Sequence, residues 1–293
     1  MRVGVLVWPP YETLFLARDL GYYDEGEIQL VDFETPAEVL RAYQNGVIDV
    51  VALTADFLLQ TAAGDPSHRA ILVIDSSLGG DALIARPEFE TVADLRGKRV
   101  GVEMSALGQH VLTRALESGG LVDDDVELRF VDVADQAEAF QLGEVDAVVT
   151  YEPVRTVLLA DEGRLLFDST AIPDEIVDLL ICRQSLIEQR EAVLSSLVDG
   201  YFEALDFLRR QPDEAAERVA KREGLSKESF LAALELVEQP DREANRAWLT
   251  GSSPRLIGSL EKVQQVLLDN DDLSEPHELR SLIDGRFVAR EPD

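Results

Sequence analysis

A chain of 293 residues with 46% apolar residues has enough material for two lobes, each with its own core. Its formal net charge of −30, from 57 acidic against 27 basic residues, excludes the basic footprint that nucleic acid or an anionic membrane surface requires. The one cysteine, Cys182 in the apolar run VDLLICR, excludes an intrachain disulfide, and no apolar run reaches the roughly 18 to 20 residues of a membrane span.

Met1 leads straight into RVGVLVW, which reads as a first strand over 3–7. Two localisations fit that start: the cytosol, or export under a signal that lies outside this sequence. The pattern turns amphipathic over 11–20 and stops at Gly21, a helix C-cap. A strand is expected over 27–33 and a helix from Pro36, its favoured first-turn position, to Asn45-Gly46. Next come a strand over 49–53 and a helix over 55–63. The run RAILVIDSSLGGDALIAR at 69–86 reads as a strand, a Ser/Gly turn and a second strand.

At that point the chain echoes itself. RVGV at 2–5 returns at 99–102, a displacement of 97, and the same displacement lays NGVIDVVALTADFLL on LGEVDAVVTYEPVRT. Gly46 falls on Gly143, Asp49 on Asp146 and Val51 on Val148. The second copy then predicts strands over 98–103, 126–131 and 146–150 and helices over 108–118, 136–142 and 154–160. Strands alternating with helices point to an α/β protein of two related lobes, each built on a parallel sheet covered by helices. The extended runs near 69–86 and 174–185 are the two crossings between lobes, which divides the chain as 1–82, 83–180 and 181–293. Closure is expected to pivot about the strands at 81–86 and 178–183. From Ser185 onward the apolar spacing is helical, over 186–210, 212–221, 227–237 and 255–268, with Ser226 as an N-cap.

Ligands of open α/β sheets bind beyond the C-terminal ends of strands. In the first copy that place holds Trp8, Pro9, Pro10, Tyr11 and Glu12, then Thr54, Ala55 and Asp56; in the second it holds Ser105 to Gln109, then Tyr151, Glu152 and Pro153. Asp178 lies on the returning crossing. The aromatics offer stacking faces, and Glu12, Asp56, Glu152 and Asp178 offer acceptors for N–H groups. The turn from Ser105 to Gly108 offers backbone N–H groups to an oxygen. Basic residues are nearly absent from these loops, Arg155 being expected to point away. This inventory suits a flat, nitrogen-bearing, neutral-to-cationic molecule first, and a sulfonate or carboxylate second. No cofactor and no metal is expected: the spacing of zinc ligands, a Walker loop and G-x-G-x-x-G are all missing, and the lysines fall outside the loops.

The stretches WPPYETLFLARDLGYYDE, ALTADFLL, DLRGKRVGVE and DAVVTYEPV resemble the solute-binding proteins of ABC importers in the nitrate, sulfonate, taurine and thiamin-precursor (NMT1/THI5-like) group, over most of residues 1–210. The resemblance implies a two-lobed type II periplasmic-binding-protein fold with two interlobe crossings and a helical C-terminal part. It implies a role outside the cytoplasmic membrane, periplasmic or as a lipid-anchored extracellular protein, with a small-molecule ligand and ABC transporter membrane subunits as partners. On the matching positions, Trp8, Tyr11, Thr54, Ser105, Tyr151 and Glu152 would line the ligand, and the protein would not be an enzyme. An enzyme on the same fold, with His110 near the cleft or Glu152 as a base, and a ligand-sensing domain of a signalling system are the alternatives.

Overall fold

The computed structural model describes residues 1–290. The chain forms two compact units, Met1–Ser76 with Val177–Asp293, and Ser77–Ile176. The changeovers come a few residues before the expected 82/83 and 180/181.

The first unit begins β1 (Arg2–Val5), α1 (Glu12–Asp19), β2 (Gln29–Asp32), α2 (Pro36–Gln44), β3 (Val50–Thr54), α3 (Ala55–Gly64) and β4 (His68–Ser77). The second contains β5 (Asp81–Ala85), β6 (Arg99–Val102), α4 (Ala106–Ser118), β7 (Glu127–Phe130), α5 (Val133–Leu142), β8 (Ala147–Tyr151), α6 (Val154–Ala160) and β9 (Arg164–Asp168). The return to the first unit adds β10 (Val177–Arg183), α7 (Gln184–Arg210), α8 (Pro212–Val219), α9 (Lys227–Leu234), β11 (Val237–Glu238), α10 (Arg242–Leu249), α11 (Arg255–Asp269) and α12 (Arg286–Ala289). Among the described residues no helix is long and apolar enough to cross a membrane.

The sheets run β11-β4-β10-β3-β1-β2 and β7-β6-β8-β5-β9. β1 is parallel to β2 and β3, and β6 to β7 and β8, as strand–helix–strand connections require. The sheets are nevertheless mixed, not parallel as expected. β10 runs antiparallel to β3 and β4, and β5 antiparallel to β8 and β9. Both enter their sheets from the crossings without an intervening helix, so nothing imposes the parallel direction on them. Each is also an interior strand of its own sheet. The expected pivots are therefore held on both sides by ladder hydrogen bonds, and the links between units fall just ahead of them, at Ser76–Ser77 and Ile176–Val177.

The repeat is physical as well as textual. Asp49 Oδ2 accepts the backbone N–H of Arg2 at 2.7 Å, and 97 residues on Asp146 Oδ2 accepts that of Arg99 at 2.9 Å. Gly46 and Gly143, at φ +67° and +76°, occupy the left-handed turn that delivers each aspartate to the first strand of its copy. Val3 pairs with Val50 as Val100 pairs with Ala147. The displacement also extends beyond the strand–helix–strand block, because DALIAR at 81–86 falls on DLLICR at 178–183. Arg86 donates to the carbonyl of Phe140 and covers its ring at 5.3 Å; Arg183 donates to the carbonyl of Tyr43 at 2.9 Å and covers its ring at 4.5 Å. Tyr43 and Phe140 are themselves 97 apart.

Around these sheets the cores are built from the expected stripes: Leu83, Val100, Val102, Leu112, Leu116 and Val149 cluster in the second unit, all buried. α9 starts at the expected cap, the Ser226 hydroxyl accepting the N–H of Ser229 at 3.0 Å. Ser226→Ala should cost about 1 kcal/mol of stability, read as a shift in the urea midpoint with unchanged slope. β9, β11, α10 and α12 have no counterpart among the expected elements; each is short, although α10 opens on a clear N-cap, the Asp241 carboxylate accepting the N–H of Ala244 at 2.8 Å.

Candidate functional site

In the first unit the C-terminal ends of β1 and β3 meet the far end of β4 and the start of β10. The Pro pair directs the chain as it leaves β1. Pro9 and Pro10 start a 3-10 turn over Pro9–Tyr11, with Trp8 extended before it and the N–H of Tyr11 bonded to the carbonyl of Trp8 at 2.8 Å. That turn places the indole and the phenol one turn apart. The indole Nε1 donates to Asp75 Oδ2 at 3.1 Å, and the phenol hydroxyl of Tyr11 donates to Asp178 Oδ1. Asp178 stands opposite Asp75 in the β10–β4 ladder and opposite Thr54 in the β10–β3 ladder. Trp8, Tyr11, Thr54, Asp75 and Asp178 thus form one cluster, with both carboxylates at 3% exposure or less. Beneath it lies Tyr201, whose hydroxyl donates to the carbonyl of Ile74 at 3.0 Å. Burial, and then the charge of Asp75, pushes the Tyr201 phenol above its ordinary range.

Two expected members sit differently. Glu12 is buried but turned to Arg222, with Nε and Oε2 3.1 Å apart, and Arg222 also pairs with Asp32 and lies over the Phe15 ring at 3.5 Å. Burial raises the Glu12 carboxyl to about 7 in spite of that guanidinium. Asp56 is buried in the first turn of α3, where Thr54 is the N-cap.

The second unit repeats the arrangement with other side chains. Asp81, 97 residues before Asp178, stands opposite Tyr151 as Asp178 stands opposite Thr54. Ser105 caps α4: its hydroxyl accepts the N–H of Gly108 at 3.0 Å and donates to Glu103 Oε1 at 2.7 Å. The Gly108 N–H is therefore already taken by a side chain, which removes one of the donors the turn was expected to offer an oxygen. The hydroxyl of Tyr151 lies 3.5 Å from Glu103 Oε2. Glu152 is committed to its own helix. It accepts from Arg155 at 3.1 Å, from the Thr156 hydroxyl at 3.0 Å and from the Thr156 N–H at 3.2 Å. Arg155 thus folds back on Glu152 and does not point away. His110 is buried, its Nε2 3.3 Å from Glu175 Oε2. Burial works against ionisation of Glu175, but bonds from His110 and Arg114 outweigh it and hold that carboxyl below its usual range.

Asp75 and Glu103 are absent from the residues nominated by sequence. Each had a signal: a carboxylate inside the apolar strand ILVID, and one directly after the repeated RVGV.

The family model described as NMT1/THI5 like matches residues 8–215. The chain is 28% identical over 217 residues to the "Putative aliphatic sulfonates-binding protein" of Escherichia coli K12, an alignment covering 69% of this chain and 64% of that protein, so it spans just under two thirds of that relative's length. It is 25% identical over 223 residues to the formylaminopyrimidine-binding protein of Halalkalibacterium halodurans, covering 72% of this chain and 67% of that one. In fold it is similar to the crystal structure of the periplasmic aliphatic sulphonate binding protein SsuA from Escherichia coli, with a TM-score of 0.79, 20% identity, and coverage of 97% of this chain and 91% of that chain. On the family match, which takes in well over half of its length, the chain belongs to the NMT1/THI5-like family.

Proposed function

We propose that this protein is the solute-binding component of an ABC importer. It takes up a small, flat, nitrogen-containing molecule, and the two units close on it by rotation at the Ser76–Ser77 and Ile176–Val177 links. It works outside the cytoplasmic membrane, in the periplasm or tethered by lipid, and hands its ligand to the importer's membrane subunits without turning it over. The observation that carries this reading is the strand-end cluster of the first unit. There, two aromatic side chains are each hydrogen-bonded to a buried carboxylate. Rings stack a planar guest, and carboxylates accept its N–H donors. Of the two ligand chemistries named among the relatives, a pyrimidine and a sulfonate, this donor-poor, acid-rich cluster favours the first. Asp81, Glu103 and Tyr151 would serve the ligand from the second unit.

A thermal-shift screen of aminopyrimidines, small amines, amino acids, sulfonates and nitrate tests the reading. A genuine ligand at 100 times its Kd should add about 2.7 kcal/mol of stability. Stabilisation by sulfonates alone would overturn the ligand class and leave the binding role. Turnover of a bound compound would overturn the binding role itself.

A further inference from the structure

We propose that Asp75 is a positioning and specificity residue that acts through Trp8, making the indole a platform that prefers a cation to a neutral molecule of the same shape. This rests on the proposed binding function and goes beyond it by naming the residue that sets the charge preference.

The indole N–H is the positive edge of the ring, and at 3.1 Å it points at a carboxylate oxygen of a residue with no exposed surface. A carboxylate accepting that hydrogen draws positive charge toward the ring edge and leaves the π face richer in electrons, and it does so in surroundings that screen little. The face of an electron-rich indole is the strongest cation-attracting surface a side chain offers. The bond also fixes the ring: Trp8 is held at its backbone by the 3-10 turn and at its far edge by Asp75, so the face is oriented before a ligand arrives. Tyr11 repeats the device with Asp178, and the two carboxyl-bearing residues are ladder neighbours, so both rings are bonded to one buried acidic pair. Beside them the Tyr201 phenol is pushed up, by burial first and by Asp75 second. A purely structural acceptor for an indole N–H needs no charge; a backbone carbonyl or a Gln would do. The use of buried carboxylates at two adjacent rings is what a charge preference requires.

The test uses a pair of planar probes of nearly equal shape, benzamidinium and benzamide, and reads the ratio of their affinities by calorimetry. The full chain should prefer benzamidinium. Asp75→Asn keeps an oxygen for the indole and removes the charge, and should lower the preference by about three- to tenfold. Because the charge acts through the ring, the same substitution in a Trp8→Phe background, which lacks the N–H, should change the ratio by less than about twofold. Tyr11→Phe, which leaves both carboxylates in place, should also lower the ratio and serves if Asp75→Asn fails to fold. An unchanged ratio in Asp75→Asn or Tyr11→Phe, with binding intact, overturns the inference and leaves the binding function standing. An equal fall in the Trp8→Phe background also overturns it, since the carboxylate would then act on the ligand directly. If neither probe binds the full chain, the proposed ligand class fails and the inference with it; if Trp8→Ala binds both as tightly as the parent, the indole is not the platform and the inference is overturned, while the binding role stands.

Discussion

Replacing Trp8 with alanine should weaken ligand binding by about 1 to 3 kcal/mol, roughly 5- to 150-fold in Kd. The indole is the largest ring at the strand ends of the first unit, and its edge is bonded to Asp75. Its removal deletes the stacking face and leaves the Asp75 oxygen without that donor, so some loss of stability should accompany the loss of affinity. The two are separable. Affinity is measured on protein shown to be folded by near-UV dichroism, and stability by urea unfolding without ligand. Tyr11→Phe is the milder companion. It keeps the ring, removes the hydroxyl bonded to Asp178, and should lose less affinity than Trp8→Ala. If Trp8→Ala keeps the parent affinity, the indole is a packing residue and the ligand sits elsewhere.

Why the strand ends were legible and their chemistry only half so is a matter of range. The displacement of 97 could be read because each copy needs a Gly in a left-handed turn and an Asp three residues on to cap a neighbouring strand; these are local demands written in adjacent letters. Gly4 and Gly101 belong to the same demand. A Cβ on Gly4 would lie 2.4 Å from the Ile48 side chain, and one on Gly101 3.2 Å from Val145, so both copies keep a bare backbone where the neighbour leans in. Strand direction was not legible. Nothing in DALIAR or DLLICR says that β5 and β10 run against their neighbours, because direction depends on how the chain enters the sheet and not on composition. The match of DALIAR to DLLICR is present in the sequence but hard to see there. It lies outside the strand–helix–strand block that makes the repeat conspicuous, and it links Arg86 to Phe140 and Arg183 to Tyr43 across 54 and 140 residues.

Site residues sort by the same rule. Trp8, Tyr11, Thr54 and Asp178 could be nominated from position alone, since strand ends are where an α/β sheet opens, and the structure gathers them into one cluster. Glu12 and Glu152 had equal claims by position, yet each is engaged by an arginine, one 210 residues away and one near in sequence. Arg155 lies three residues from Glu152, one helical turn, and that contact was within reach of the spacing rule. Arg222 is not within reach of any such rule: it comes from the segment after α8, and only the fold brings it to Glu12. Asp75 shows the opposite error. Its position inside an apolar run argues for burial, and a buried carboxylate needs donors; the indole of Trp8, 67 residues away, is one of them.

Glu12→Gln should make the protein more stable above neutral pH and remove a step from its stability profile. Burial lifts the Glu12 carboxyl from the ordinary 4.5 to about 7, Arg222 offsetting only part of that effect. A carboxyl raised on folding binds its proton more tightly in the folded chain than in the unfolded one. Its contribution is therefore fully present below about 4.5 and is lost as pH rises through about 7. The full difference corresponds to about 2 to 3 kcal/mol once the partial solvation of the Arg222 side is allowed for. Glutamine cannot ionise, keeps an oxygen for the Arg222 guanidinium, and carries no such step. Urea unfolding at intervals from pH 4 to 9 should show the parent losing stability between about 5 and 8 relative to Glu12→Gln, with the curves running together below about 4.5. A variant that instead loses stability uniformly, or most strongly at high pH, would mean that Glu12 is held ionised by Arg222. The pair would then act as a fixed strut between α1 and the segment after α8, and not as a proton-sensitive one. The outcome bears on function, because Glu12 is the residue after Tyr11.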